Sequence, residues 1–154
     1  MSSISDALAQ AVAQIKPKVD NALAQEVAIE VKADEVWAIW DTVYGAYTPV
    51  MYDRRYDAGG LSDPDNMEVS VSGGVLTVTN VTPAADGPGY TTGKNLAQLI
   101  EGGNGSGGFY DFPSKGAYMR ARPFTEATRE LLRNDKTHVE GLRRGLKRQG
   151  LKVE

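Results

Sequence analysis

Ile4, Leu8, Val12, Ile15, Val19 and Leu23 recur at intervals of three or four residues, the period of a helix with one apolar face. Ser2 and Ser3 can cap its start, so a helix is expected over 3–24. Pro17 should kink or divide it, because proline lacks an amide donor and crowds the preceding turn. A second helix is expected over 34–46, with Asp34 as N-cap and Trp37, Trp40, Val43, Tyr44 and Tyr47 on one face. The intervening EVAIEVKA (26–33) alternates as a strand would and equally continues a helix; helix is the preferred reading.

Period two appears next. In NMEVSVSGGVLTVTNVT (66–82), Met67, Val69 and Val71 alternate with polar residues. Gly73-Gly74 supplies a tight turn, after which Leu76, Val78 and Asn80 alternate with Val75, Thr77 and Thr79. The pattern is a β-hairpin with one buried face. Residues 83–89 read as a loop, 95–101 as a short helix with Leu96, Leu99 and Ile100 inward, 102–108 as a flexible glycine segment and 109–113 as an aromatic extended one. Pro123, a favoured first helical residue, opens a basic C-terminal helix over 123–148, with Phe124, Ala127, Leu131, Val139, Leu142 and Leu146 as its apolar positions. That stripe is expected to pack on the sheet. Gly150-Leu151 is a suitable terminating cap.

One stretch follows neither period. YTPVMYDRRYDAGGLSDPDN (47–66) carries three tyrosines, two adjacent arginines, a Gly-Gly and an Asp-Pro-Asp-Asn cluster. Tyrosine and arginine are favoured at binding hot spots, so it reads as an ordered strap at an interface. The bland alternative is a loop packed over its own core.

Composition sharpens this picture. With 154 residues and 41% hydrophobic content, a single domain over 1–154 with a real core is expected, and no internal repeat is visible. The longest apolar runs fall far short of the roughly 20 residues of a membrane helix, so no membrane partner is expected. Residues 1–15 show neither a basic leader nor a continuous apolar segment, which suggests synthesis in the cytoplasm. The chain has no cysteine, which excludes disulfides and thiolate chemistry. The net charge of −3 hides an asymmetry, since ten bases and five acids lie from Arg120 onward, a net of +5, against −8 over the first 119 residues.

Candidate chemistry is sparse. GPGYTTGKN (87–95) lacks the first glycine and the hydroxyl residue of a phosphate loop. Asp63, Asp65 and Asn66 begin like a calcium loop, but the remaining ligands are missing and a turn explains them. His138 is the single histidine and has no activated serine context. Asp34/Glu35 and Glu126/Glu130 read as helix N-terminal charges. No enzyme activity, cofactor or metal is expected. Nucleic-acid binding through Arg129, Arg133, Lys136, Arg143, Arg144, Lys147 and Arg148 is the alternative function, weakened by the interleaved Glu126, Glu130 and Glu140.

The order of these pieces carries a resemblance. A helix ending VYGAYTP leads to YDRRYDAGGLSDPDN, a hairpin ending LTVTN, the short LAQLIEGG helix, and RARPF opening a basic helix. Over about 30–151 this resembles the small head–tail joining (neck or tail-completion) minor structural proteins of long-tailed bacteriophages, of the Hong-Kong-97 type. The resemblance rests on Tyr47, Pro49, Tyr52, Arg54, Arg55, Gly59, Gly60, Leu61, Asp63 and Asn66, with Arg122, Pro123 and Phe124 behind them. It implies a virion component made in the host bacterial cytoplasm, assembled as a ring of six or twelve copies. Its neighbours would be head-closure or adaptor proteins and the tail terminator or tail tube, with DNA only as cargo passing the channel. Those residues, with Arg143 and Arg144 meeting an acidic neighbour or the channel lumen, are the expected interface. The glycine-rich 102–119 and the first 25 residues depart from the family pattern. The expected fold is α+β: a small antiparallel sheet built on the 66–82 hairpin and covered by N-terminal and C-terminal helices.

Overall fold

A computed structural model describes residues 3–46, 48–49, 53–84, 95–103 and 120–154. The fold is α+β, with helices flanking a two-stranded antiparallel hairpin in the chain. Helical backbone runs without interruption from α1 (Ile4–Ala22) through a π turn (Leu23–Val27) into α2 (Ala28–Ile39) and a second π turn (Trp40–Tyr44). The segment 26–33 is therefore helix, as its preferred reading had it. Ser3 opens α1 with a capping box, its side chain accepting from Asp6 N while Ser3 N donates to Asp6 Oδ2 (3.0 Å). Pro17 does not divide α1. Residues 3–17 are exposed, so water can serve the carbonyl that the missing proline amide leaves unpaired.

The hairpin consists of β1 (Met67–Ser72) and β2 (Val75–Asn80). Gly73 and Gly74 both have positive φ (61° and 79°), as a type I′ turn requires. The expected inward face is fully buried only at the base, at Met67 and Asn80; Val71, Leu76 and Val78 are half-buried and Val69 is exposed. Beyond it lie α3 (Leu96–Gly102), α4 (Phe124–Asp135) and α5 (Thr137–Arg148). In α3 the buried residues are Ala97 and Leu99, with Leu96 and Ile100 half-exposed. Only Gly102 and Gly103 of the 102–108 segment are described; the rest of it, most of 83–89 and all of 109–113 lie outside the described residues.

The expected single helix over 123–148 is two helices. Lys136 sits between them in the left-handed region (φ 54°, ψ 26°), a conformation that costs a non-glycine residue about 1–2 kcal/mol. The break lets the two halves serve different compact units of the chain, one comprising residues 1–31, 69–78 and 136–154, the other 32–68 and 79–135.

In the first unit α5 lies against the π turn and α1, not chiefly on the sheet. Gly141 and Gly145, four residues apart on one helical face, allow this approach. A Cβ on Gly145 would stand 2.7 Å from Ala22 Cβ and 3.0 Å from Ala22 Cα. Ala22, Val27 and Ala28 are buried in this unit, and Arg144 and Arg148 close its edge by pairing with Glu30 and Glu26.

The second unit holds the larger core: Ala38, Ile39, Val43, Leu61, Met67, Ala84, Ala97, Leu99 and Phe124. There α4 lies against the second π turn. Arg122 N donates to Ile100 O (2.9 Å), and Thr125 N donates to Glu101 Oε1 (2.5 Å), which caps the start of α4 from outside the helix.

The close α5 packing makes a discriminating prediction. Alanine should favour the helix by about 1 kcal/mol over glycine. At Gly145 the clash with Ala22 backbone should outweigh that and destabilise by about 1–3 kcal/mol. At Gly141 the nearest atom is the movable Glu30 Cγ at 3.1 Å, so Gly141→Ala should be close to neutral. Urea denaturation of both variants beside the wild type measures the difference.

Candidate assembly interface

The described part of the strap, from Asp53 to Asn66, is folded onto its own unit by its own polar groups. Ala58 N donates to Arg55 O (2.8 Å) and Asp63 N to Gly60 O (3.2 Å), which turns the chain twice within a few residues. The Asp63 carboxylate accepts from Gly59 N (2.7 Å) and Asp65 N (2.9 Å), the second bond capping a short 3-10 turn at Pro64–Asn66. These two amides, Asp65 first, hold the Asp63 carboxyl below the usual aspartate range. Asn66 Nδ2 returns to Gly60 O (3.0 Å). Gly60 has no room for a side chain, since a Cβ would lie 2.6 Å from Tyr56 N and closer still to its carbonyl oxygen. Leu61 and Ser62 are buried.

Two arginines pin the strap by donating to backbone carbonyls. Arg54 Nη1 reaches Tyr44 O (2.9 Å) with its guanidinium 5.1 Å from the Tyr44 ring centre, and Arg55 Nη2 reaches Pro83 O (2.7 Å). Tyr56, held at φ 49°, stacks on Trp40 (centroids 5.2 Å apart, planes 8° apart) and meets Tyr44 edge-on at 5.0 Å. Tyr44 and Trp40 are themselves edge-to-face at 5.0 Å. The Tyr44 hydroxyl accepts from Ser62 N (3.2 Å). One face of this cluster remains in solvent, because Trp40 is 47% and neighbouring Trp37 72% exposed.

Beneath the strap lies a polar hub that the sequence does not announce. Asn80 Nδ2 donates to Glu35 Oε1 (3.0 Å) and to Leu61 O (2.9 Å). Asn80 Oδ1 accepts from the Thr82 hydroxyl (2.6 Å) and Thr82 N (3.2 Å), and Asn80 O accepts from Asn95 Nδ2 (2.9 Å). Glu35, Asn80 and Thr82 are all buried. Desolvation raises the Glu35 carboxyl above the usual glutamate value, against the opposing pull of the Asn80 bond. The one available signal was the place of Asn80 in the inward alternation of β2.

The other expected interface residues scatter. Tyr47 and Tyr52 lie outside the described residues; Pro49 and Arg122 are half-buried and Pro123 is exposed. Phe124, like Leu61, serves the interior. Arg143 pairs with Glu140 (2.6 Å), and Arg144 with Glu30 and, at 3.9 Å, Glu26 of its own chain. Arg129 (3.1 Å) and Arg133 (3.0 Å) share Glu126, whose carboxyl they hold below the usual range, Arg133 contributing most. The basic helices thus meet acids of this chain. Among the described residues no group of three or more His, Cys, Asp or Glu is placed to hold a metal ion. None of the described helices is long and apolar enough to cross a membrane.

Residues 7–148 match the model of the YomN family, which spans the strap, the hub and both basic helices. The chain belongs to the YomN family. It is 29% identical over 157 residues to the "SPbeta prophage-derived uncharacterized protein YomN" of Bacillus subtilis (strain 168), covering 96% of this chain and 100% of that one. No solved structure matches it. The YomN family is therefore phage-associated through its prophage-derived member, and the likeness runs along the whole chain, including the N-terminal helix that the neck-protein resemblance left out.

In this YomN-family chain the buried Glu35 gives a pH signature. Its folded-state value is raised above 4.5, so below pH 4.5 it is protonated in both states and costs nothing extra. As pH rises from 4.5 through the raised folded-state value, the unfolded chain ionises first and folded stability falls, levelling off above that value. Glu35→Gln keeps an acceptor for Asn80 and removes the titration. The stability of the variant relative to wild type should therefore increase across that window and then become constant, as read by denaturant titrations at stepped pH.

Proposed function

We propose that this chain is a non-enzymatic structural protein of a phage particle, part of the head–tail junction ring that joins the portal and head-closure complex to the tail tube. The observation that carries the reading is the full-length likeness to a prophage-derived relative, taken with the neck-protein order of the strap, hairpin, short helix and RARPF motifs. In the ring, six or twelve copies stand in the virion neck between head-closure or adaptor proteins and the tail terminator or tail tube. The strap supports this role physically: it is pinned by Arg54, Arg55 and Asp63 to its own unit and so presents Trp37 and Trp40 from a fixed base. A preorganised aromatic surface loses little conformational freedom when a partner covers it.

The pairing of the basic helices within the chain weighs against DNA binding as the primary role. Arg129, Arg133, Arg143, Arg144 and Arg148 each have a glutamate partner, so binding phosphates would require giving those partners up. DNA passes the neck as cargo.

Tagged protein in purified phage particles tests the placement. Cryo-electron microscopy should find the chain at the neck, and deletion of its gene should leave filled heads and free tails unjoined. Particles that lack the protein yet carry a complete neck would sink the proposal. For the basic helices, a labelled duplex at physiological salt should show only feeble binding; submicromolar affinity abolished by Arg143→Glu with Arg144→Glu would move the DNA reading ahead.

A further inference from the structure

The hairpin is a sheet of two strands, and among the described residues no third strand joins either edge. Its register fixes which backbone groups point outward. Val81 N donates to Asn66 O (2.8 Å) at the base, and Gly73-Gly74 is the two-residue turn at the tip. Antiparallel pairs alternate between bonded and non-bonded, so Glu68–Thr79, Ser70–Thr77 and Ser72–Val75 exchange the hairpin's own hydrogen bonds. Val69 and Val71 on β1, and Leu76 and Val78 on β2, therefore turn their N–H and C=O groups away from the partner strand.

The chain covers both edges at the base and leaves both open toward the turn. On β1, Met67 N donates to Pro64 O. On β2, Asn80 O accepts from Asn95 Nδ2 (2.9 Å), and just past the strand Thr82 O accepts from Leu96 N (2.8 Å). The outward groups of Val69, Val71, Leu76 and Val78 find no such bond among the described residues. Open edges usually carry a lysine, a proline or a bulge that prevents pairing. Between Met67 and Asn80 the sequence has no proline and no lysine, and Glu68 is its one charge. A two-stranded hairpin by itself is also marginal in water.

We infer that the open edge of β1 in one copy pairs, antiparallel, with the open edge of β2 in the next, so that the sheet continues from copy to copy. With Val71 opposite Leu76 and Val69 opposite Val78 of the next copy, each pair exchanges two backbone hydrogen bonds. That register sets apolar side chains together on one face. On the other it sets Ser70 opposite Thr77 and Glu68 opposite Thr79, so no like charges meet. The two edges match in open length, strand sense and side-chain pattern, which selects a second copy as the occupant. Pairing β1 with β1, or β2 with β2, about a two-fold axis would leave the other edge of both copies open. Head-to-tail pairing that closes on itself leaves none. This inference deepens the ring element of the proposed function, and rests on that reading for closure of the ring.

The chain has no cysteine, so engineered disulfides report contacts without background. Ser70 and Thr77 are exposed. Across the inferred junction they form a non-bonded pair with Cα atoms about 4.5 Å apart, a separation that a disulfide spans. Ser70→Cys and Thr77→Cys, tagged to differ in mass, are mixed and oxidised. High protein concentration is used, because so short a pairing covers far less than the roughly 800 Å² per partner of a stable interface. The mixed dimer should exceed both homodimers well beyond the share that random collision gives, with circular dichroism confirming that both variants fold. Adding Val69→Pro to the Ser70→Cys chain removes an outward N–H and no hydrogen bond of the hairpin, so the mixed dimer should fall to the random share. If the proline unfolds the chain, the cysteine yields alone decide. Predominant Ser70→Cys homodimers (β1 on β1), predominant Thr77→Cys homodimers (β2 on β2) or a random distribution would each overturn the inference. An undiminished yield from a folded proline variant would do the same. The outcome is separate from the neck placement: random cross-linking with the protein found at the neck rejects only this pairing, and a specific mixed dimer with the protein absent from particles rejects only the placement.

Discussion

The second unit is organised around a single carboxamide. Asn80 at the end of β2 satisfies Glu35 on α2 and the Leu61 carbonyl in the strap with its two amide hydrogens, and takes both the hydroxyl and the amide of Thr82 on its oxygen. A buried polar group left unpaired costs about 1–3 kcal/mol, so each of these partners is fixed where the others need it. A helix, a loop without periodic structure and a strand end therefore share one set of positions. From Asp53 to Asn66 the strap is held by backbone bonds to this hub and to Asp63, together with the buried Leu61 and the Tyr56 ring stack.

The first unit depends on absence of bulk. Gly141 and Gly145 let α5 come against the π turn and Ala22, and that proximity brings Arg144 and Arg148 to Glu30 and Glu26. The pairs are partly exposed and each is worth little by itself. Their consequence is electrostatic: the positive excess of the C-terminal region is largely answered inside the chain. The left-handed turn at Lys136 is the local cost of sending α4 and α5 to different units.

Among the described residues several large apolar side chains are exposed along the N-terminal helices: Ile4, Leu8, Val12 and Ile15 on α1, Ile29 and Trp37 on α2, and Trp40 in the turn after it. Trp40, held against the Tyr56 and Tyr44 rings in this member of a phage-associated family, is of the residue type favoured at binding hot spots.

Sequence alone determined the elements wherever one period dominated. The three-to-four spacing from Ile4 to Leu23 gave the first helix, the alternation around Gly73-Gly74 gave the hairpin, and Pro123 marked the entry to the basic helices. It also gave the α+β class and the ordered motifs that pointed to phage structural proteins. Periodicity could not say which apolar face would be covered, because that depends on residues distant in the chain: the α1 stripe reads like any core-facing helix, yet it is exposed, while the buried face of α2 is Glu35, Ala38 and Ile39. Nor could it foresee that Lys136 would break a continuous pattern or that Glu26 and Glu30 would answer the C-terminal arginines more than 110 residues away. Local spacing sets secondary structure through backbone geometry; burial, partner choice and charge cancellation are set by the energy of contacts that exist only once the chain has folded.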